Sequence, residues 1–447
     1  MFVYLAIIVP TSLFIVGCVA SLVLAAYLLG GLVGSSPEYR IHDAQQMPPN
    51  DSSQFVSLLE SLVDAKANCT GSFEVLTNGP NFYPAALQAI RGARRSVCLE
   101  AYIFHESEIG RMYIAALAER ARAGVEINLT IDAFGSVSAG NSFLRPLLEA
   151  GGRVRRYNRV TWDRILRIDN RTHRELLIID GSVGFIGGAG IADQWYKGVK
   201  GGPRWRDTLV RVEGEAVPNL QATFAENWLA ASGELLVGEA YFPPGSPRTG
   251  PGPGGGSGIQ RPNPATALVI NSTPTVGGST RARVLFQLLL ASARRSIDIT
   301  TPYFLPDKSL MRELCRAIER GVRLRILVPG RKSDHLLTRS TSRGGYGPLL
   351  EAGADVYEYQ PSMIHAKILC VDQIWSVVGS TNFDNRSFGI NDEVNLAVQD
   401  PQVALRLESD MTNDLSDSRQ ISLAEWRRRP VTERATELLG WVIERQQ

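Results

Sequence analysis

Two histidines stand at matching places in this chain, and each opens a string of residue types suited to acting on an anion. In His365-Ala-Lys367 the imidazole and the ammonium are two residues apart, so on an extended segment they project to one side. The apolar run Ile368 to Val371 follows, Asp372 ends it, and six residues later comes Gly379-Ser380-Thr381-Asn382. The earlier string is His173-Arg-Glu175, then Leu176 to Ile179, Asp180 and, after six residues, Gly187-Gly188. An imidazole titrates near neutrality, so a pair of them can hold two different protonation states. If the two strings sit at equivalent places of a duplicated unit, their histidines meet at the interface between copies, where a ligand cleft is expected.

The elements around the strings repeat as well. Ser96 to Phe104 has a strand pattern, Ile109 to Ala123 a helical one ending at Gly124, and Val125 to Ile131 a second strand pattern, an alternation that predicts an α/β fold. Ala293-Arg-Arg-Ser repeats Ala93-Arg-Arg-Ser, Glu319-Arg-Gly-Val resembles Arg122-Ala-Gly-Val, and Leu349-Leu-Glu-Ala-Gly repeats Leu147-Leu-Glu-Ala-Gly. Each half therefore reads as one copy of a unit. The halves span 54–242 and 265–418, joined by the Gly- and Pro-rich stretch 243–264, and a basic amphipathic tail, 419–447, carries Leu438, Leu439, Trp441 and Val442.

At 447 residues, two folded units fit the length, and a formal charge of +2 excludes a global polycation for nucleic acid. Residues 1–36 carry no charged side chain, and Thr11 to Val33 would span roughly 35 Å as a helix, enough to cross a bilayer. This predicts an uncleaved N-terminal transmembrane anchor. Five scattered cysteines without CxxC spacing predict neither a zinc site nor a disulfide framework.

The second string matches, at every defined position, the signature of the phospholipase D superfamily, His-x-Lys-x-x-x-x-Asp-x-x-x-x-x-x-Gly-Ser-x-Asn. With its first copy in register, the chain resembles that superfamily over nearly its whole length after residue 36. The runs Gly187-Gly-Ala-Gly-Ile-Ala-Asp193, Trp205-Arg-Asp207 and Trp426-Arg-Arg-Arg, with the apolar N-terminus, are similar to the bacterial cardiolipin synthase branch. The resemblance implies two α/β/α sandwich halves about a pseudo-twofold axis and a phosphatidyltransferase taking phosphatidylglycerol to cardiolipin. It implies that His173 attacks phosphorus to form a phosphohistidine while His365 gives the leaving alcohol its proton. It suggests Glu393 as the carboxylate that orients His365 and Asp207 as the one for His173, with Lys367, Gly188, Ser380 and Asn382 around the phosphate. Asp180 and Asp372 belong to the signature, yet each ends an apolar strand where a turn-forming aspartate is common, which favours a structural role. No cofactor or metal is implied, and His42, His105 and His335 lack partnered spacing. The implied partners are membrane phospholipids and the bilayer rather than nucleic acid, at a bacterial inner membrane.

The first string departs from the signature: Glu175 stands in place of lysine and Gly190 in place of asparagine. Arg174 is no substitute, because it points to the opposite side of the strand. A glutamate facing phosphate at about 4 Å would cost roughly 1 to 4 kcal/mol, so that Glu175→Lys should raise activity at least about tenfold. Alternatively, Glu175 turns away to pair with Arg171 or Lys200 and moderate activity remains. Three functions stay open on the same residues: phosphatidyl transfer, hydrolysis by water as a phospholipase or nuclease with Arg153, Arg155 and Arg156 lining the cleft, and a lipid-binding scaffold without turnover.

Overall fold

Runs rich in β-branched and apolar residues become strands and the amphipathic runs between them helices, twice over and in the same order. In the computed structural model, which describes residues 38–158, 170–198, 202–244, 265–274 and 280–430 together with 17, 433, 434 and 437, the first half builds β1 (Gly71–Thr77), β2 (Ser96–Ala101), β3 (Glu126–Asp132), β4 (Arg153–Tyr157), β5 (Leu176–Ile179), β6 (Val183–Gly187) and β7 (Thr208–Gly214). The second half builds β8 (Thr266–Ser272), β9 (Ser296–Thr300), β10 (Phe304–Leu305), β11 (Arg323–Pro329), β12 (Asp355–Tyr359), β13 (Ile368–Val371), β14 (Trp375–Gly379), β15 (Phe383–Asp384), β16 (Glu393–Gln399) and β17 (Ser418–Ile421).

The first sheet runs β1-β7-β6-β5-β2-β3-β4, and the second runs β8-β16-β14-β13-β9-β11-β12 with β17 added at its edge. Strand for strand, the parallel and antiparallel pairings agree as well: β2, β3 and β4 pair in parallel, as do β9, β11 and β12. The signature strands β5 and β13 lie antiparallel to β2 and β9 in their sheets. The alternation of side chains explains why both are apolar throughout: Leu177 and Ile179 enter the core under the outer helices of the first half, while Leu176 and Ile178 enter a shared core with Val269, Cys370, Leu396 and Val398 from the second sheet. Helix Val217–Ser232 packs into that shared core through Leu220, Phe224 and Trp228, and helix Pro401–Ser416 through Val403 and Leu407.

Asp180 and Asp372 close β5 and β13 in left-handed backbone, with φ of 52° and 57°, a conformation aspartate tolerates better than most residues. Each carboxylate accepts amide N–H groups from the start of a neighbouring strand: Asp180 from Arg94, Arg95 and Ser96, and Asp372 from Arg294, Arg295 and Ser296. Their place in the catalytic set is thereby corrected to a structural one: both carboxylates are occupied by backbone amides.

One boundary also moves. Helix Ser53–Val63, which sequence counted with the first half, buries Phe55, Leu59 and Val63 against Leu285, Leu289 and Trp375 of the second. The start of the tail packs on the body, with Trp426 donating to the Arg343 carbonyl at 2.7 Å, whereas Leu438, Leu439, Trp441 and Val442 lie outside the described residues. So do the expected anchor over 11–33 and most of the 243–264 connection. Among the described residues no helix is long and apolar enough to cross a membrane.

Candidate active site

Strands β5 and β13 begin only at Leu176 and Ile368, so each histidine sits on the extended segment just before its strand. That segment is fixed by a bridge to the other half. Thr172 bridges Asp392 and Arg206 bridges Ile364, both in parallel. His173 N donates to the Asp392 carbonyl at 2.9 Å, and His365 N donates to the Arg206 carbonyl at 2.7 Å. The residue after Asp392 is Glu393 and the residue after Arg206 is Asp207, so each bridge delivers a carboxylate to the histidine beside it.

The pairing corrects the sequence assignment. His173 Nδ1 lies 3.1 Å from Glu393 Oε1, and His365 Nδ1 lies 3.0 Å from Asp207 Oδ2. The carboxylates are exchanged between halves, because the contacts form across the pseudo-twofold axis rather than within a copy. His173 Nδ1 also lies 3.1 Å from the Ser380 carbonyl. A carbonyl oxygen only accepts, so Nδ1 carries the proton and Nε2 presents its lone pair to the cleft. Glu393 is itself held by the Ser380 hydroxyl. On the other side, Asp207 Oδ2 also accepts from Trp195 Nε1 at 3.0 Å.

Lys367 completes the second string as expected, facing the same cavity as His365. Its Nζ donates to the His365 carbonyl at 2.7 Å and lies 2.9 and 3.0 Å from the two ring nitrogens. Burial lowers the Lys367 ammonium to about 8, although Asp207, Glu393, Asp334 and Glu175 pull it upward. Burial also lowers His365, and the neighbouring Lys367 charge adds to this. Asp207 and Glu393, the partners of the two histidines, thus both act on the charge of this one lysine.

Gly188 lies against the other half: a Cβ there would stand 2.9 Å from Lys367 Cδ and 3.0 Å from Asp207 Oδ1. Its counterpart Ser380 is spent on Glu393. The Asn382 side-chain carbonyl is buried without a hydrogen-bond partner among the described residues. Glu175 is held by backbone amides. Its Oε1 accepts from the amides of Tyr102 at 3.2 Å and Ile103 at 3.3 Å, while Arg171 bonds the Asn158 carbonyl and stands 3.8 Å from Asp132, and Lys200 lies outside the described residues. Enclosure by the protein pushes the Glu175 carboxyl well above the usual range, opposed by the two amides and by Lys367. Gly190 makes room for it: a Cβ there would stand 2.7 Å from the Ile103 backbone carbonyl and 3.2 Å from Glu175 Oε1. Arg174 points away from the cleft, as expected, to the Thr223 carbonyl and Glu226.

Several contributors were not found from sequence. The Tyr102 ring lies edge-on to His173 with centroids 5.2 Å apart, and Trp195 and Trp205 lie 5.3 and 5.6 Å from His365. Tyr303 donates to Asp334 at 2.7 Å. The usable signal was repeat position alone: Tyr102-Ile-Phe104 and Pro302-Tyr-Phe304 follow the same strand in the two copies. Arg153 and Arg155 do not line the cleft: their guanidinium groups lie over the Trp228 ring, and Arg153 also pairs with Glu234. Among the described residues, no group of three or more His, Cys, Asp or Glu side chains is placed to hold a metal ion.

The family described as "Cardiolipin synthase, PLD-like domain" matches residues 86–228 and 287–415. Cardiolipin synthase 1 of Bacillus anthracis is 33% identical over 372 residues, 81% of this chain and 70% of that protein. The major cardiolipin synthase of Bacillus subtilis (strain 168) is 35% identical over 376 residues, 83% of this chain and 74% of that protein. Among solved structures, phosphatidylserine synthase of Haemophilus influenzae shares the fold with a TM-score of 0.60 at 14% identity, covering 86% of this chain and 99% of that one.

Proposed function

The chain belongs to the phospholipase D-like family of cardiolipin synthases, and on that premise we propose that it transfers a phosphatidyl group between alcohols through a covalent phosphohistidine. The observation that carries the reading is the crossed arrangement of the histidines, one of which has a tautomer fixed by a backbone carbonyl. His173 Nε2 attacks the phosphorus of phosphatidylglycerol, the bond to the glycerol oxygen breaks, and that oxygen takes the proton from His365 Nε2. A second phosphatidylglycerol hydroxyl then gives its proton to His365 and attacks phosphorus, and the P–N bond breaks with its electron pair returning to His173 Nε2.

His365 must be protonated in the first step, although burial and Lys367 lower it. A bound phosphodiester supplies the missing negative charge, attracting Lys367 and raising both cations at the moment they are needed. Glu393 and Asp207 stabilise the imidazolium forms without taking the proton, as carboxylates do beside other catalytic imidazoles. Glu175 is held by two backbone amides and enclosure raises its carboxyl, which weakens any repulsion of the phosphate, so Lys367 is the lysine that serves the shared site.

The test is to quench the enzyme during turnover of phosphatidylglycerol labelled at phosphorus and to map the adduct by peptide mass spectrometry. The expected adduct is on His173, absent in His173→Ala and, because no proton donor remains for the leaving glycerol, lost in His365→Ala as well. An adduct on His365 reverses the roles, and its absence under turnover overturns the covalent path. Cardiolipin and phosphatidic acid measured separately distinguish transfer from hydrolysis, and inertness toward both phospholipids and nucleic acids leaves the scaffold reading.

A further inference from the structure

The loop 133–140 leaves β3 beside the site and presents two large apolar side chains to solvent: Phe134 is 68% exposed and Val137 76%. Singly exposed apolar residues are ordinary, but these two sit on a loop that is firmly built. Asp132 Oδ1 accepts from the amides of Phe134 at 2.8 Å and Gly135 at 3.0 Å, and the Ser136 hydroxyl donates to the Tyr102 carbonyl at 2.7 Å. Phe104 N donates to the same Ser136 oxygen at 3.0 Å. Gly135 lies so close to Tyr102 that a Cβ would stand 2.7 Å from its ring, and that ring lies against His173. The exposed pair is therefore held one side chain away from the nucleophile. The buried Arg171 guanidinium lies 5.6 Å from the Phe134 ring centroid, and Arg145 is exposed on the helix Asn141–Glu149 that follows.

We propose that loop 133–140 is a membrane-docking element, with Phe134 and Val137 entering the acyl boundary of an anionic phospholipid bilayer and the exposed Arg145 meeting its phosphates. This inference rests on the phosphatidyl-transfer reading for its purpose. A diacyl lipid whose phosphate must reach His173 exposes its chains to water if it leaves the bilayer whole. An apolar tip beside the site, followed by a helix with an exposed arginine, lets the headgroup enter while the chains stay in lipid.

Full-length Phe134→Trp protein, reconstituted in phosphatidylglycerol vesicles with brominated acyl chains and with wild type as the fluorescence blank, is expected to show quenching of the added indole. In parallel, Phe134→Ser/Val137→Ser is expected to lose at least about tenfold in kcat/KM on vesicles, the expected consequence of withdrawing two large apolar side chains from lipid. The same variant should stay within about twofold of wild type on dispersed short-chain phosphatidylglycerol, where no surface is needed. An unquenched indole overturns the proposal. So does an equal loss on both substrates, which makes the loop a packing element of the site, or sedimentation and cross-linking that bury the loop against a second copy of the chain. If wild type turns over neither substrate, phosphatidyl transfer fails while the quenching still decides the docking.

Discussion

Replacing Glu175 with glutamine separates two accounts of the first string that differ by orders of magnitude. Were the side chain ionised about 4 Å from the phosphate, the repulsion at an effective dielectric of 20 would be about 4 kcal/mol, or roughly a thousandfold in rate, and Glu175→Gln would recover most of it. The structure points elsewhere. Both amides donate to Oε1, an atom glutamine keeps, and the carboxyl is already pushed well above its ordinary range by enclosure. Where enclosure keeps the carboxyl protonated, the substitution exchanges one neutral group for another, and a net hydrogen-bond difference of about 1 kcal/mol limits the change to less than roughly tenfold at pH 7. The pH dependence carries a sign as well. A raised carboxyl is neutral below its folded pKa and gains its charge as pH rises through it, so wild-type activity should fall on the alkaline side partly through Glu175, and the glutamine variant should lose that component. Glu175→Lys, which an ionised glutamate would make a gain of at least about tenfold, should here give no gain, because it gives up both amide bonds and brings a second ammonium toward Lys367. The assay is initial-rate cardiolipin and phosphatidic acid formation in mixed micelles from about pH 6 to 10, which brackets the lysine. A rise of a hundredfold or more in the glutamine variant at neutral pH would falsify the neutral-carboxyl account.

Lys367 is charged below about 8 and loses its charge above it, so kcat/KM should decline as pH passes that value, and Lys367→Arg should shift the decline upward; an unchanged limb in the arginine variant assigns it to another group. The exchanged carboxylates should differ in their dependence on the leaving alcohol. Asp207→Asn should cost about 100-fold or more with glycerol leaving and much less with p-nitrophenol, which needs no proton, whereas Glu393→Gln should stay impaired with both; identical behaviour of the two variants contradicts the division of roles. Gly188→Ala places a methyl group 2.9 Å from Lys367 Cδ and should lower kcat by about tenfold or more through misplacement of the lysine, with thermal unfolding measured alongside to separate this from global loss. The protein should stay with membranes through a high-salt wash and need detergent for release, since Thr11 to Val33 is long and uncharged; release by salt alone argues against the anchor.

Much of this arrangement was legible in sequence because it depends on short-range pattern. The period-two and helical runs located β2, β3 and the helix Glu108–Arg122 to within a few residues, and parity along an extended segment placed Lys367 with His365 and Arg174 away from the cleft. The turn role of Asp180 and Asp372 followed from their place after an apolar run. What failed was long-range. Glu393 reaches His173 across 220 residues and Asp207 reaches His365 across 158, and nothing local says whether a carboxylate serves its own copy or the other. Helix Ser53–Val63 was misassigned for the same reason, since an amphipathic stripe shows that a face is buried but not against what. The amides that hold Glu175 belong to the backbone, which side-chain types do not report.

The crossed bridges Thr172 to Asp392 and Arg206 to Ile364 make each half the scaffold of the other's chemistry. Neither half could be cut free and keep an oriented histidine, since the piece carrying His173 would leave Glu393 behind and the piece carrying His365 would leave Asp207. Two identical subunits around a dyad would have to keep every such residue twice over. A single chain with one cleft has no such obligation: a feature supplied once is supplied to the whole site. Lysine in one copy and glutamate in the other is then a division of labour open to a fused pair and closed to a symmetric one.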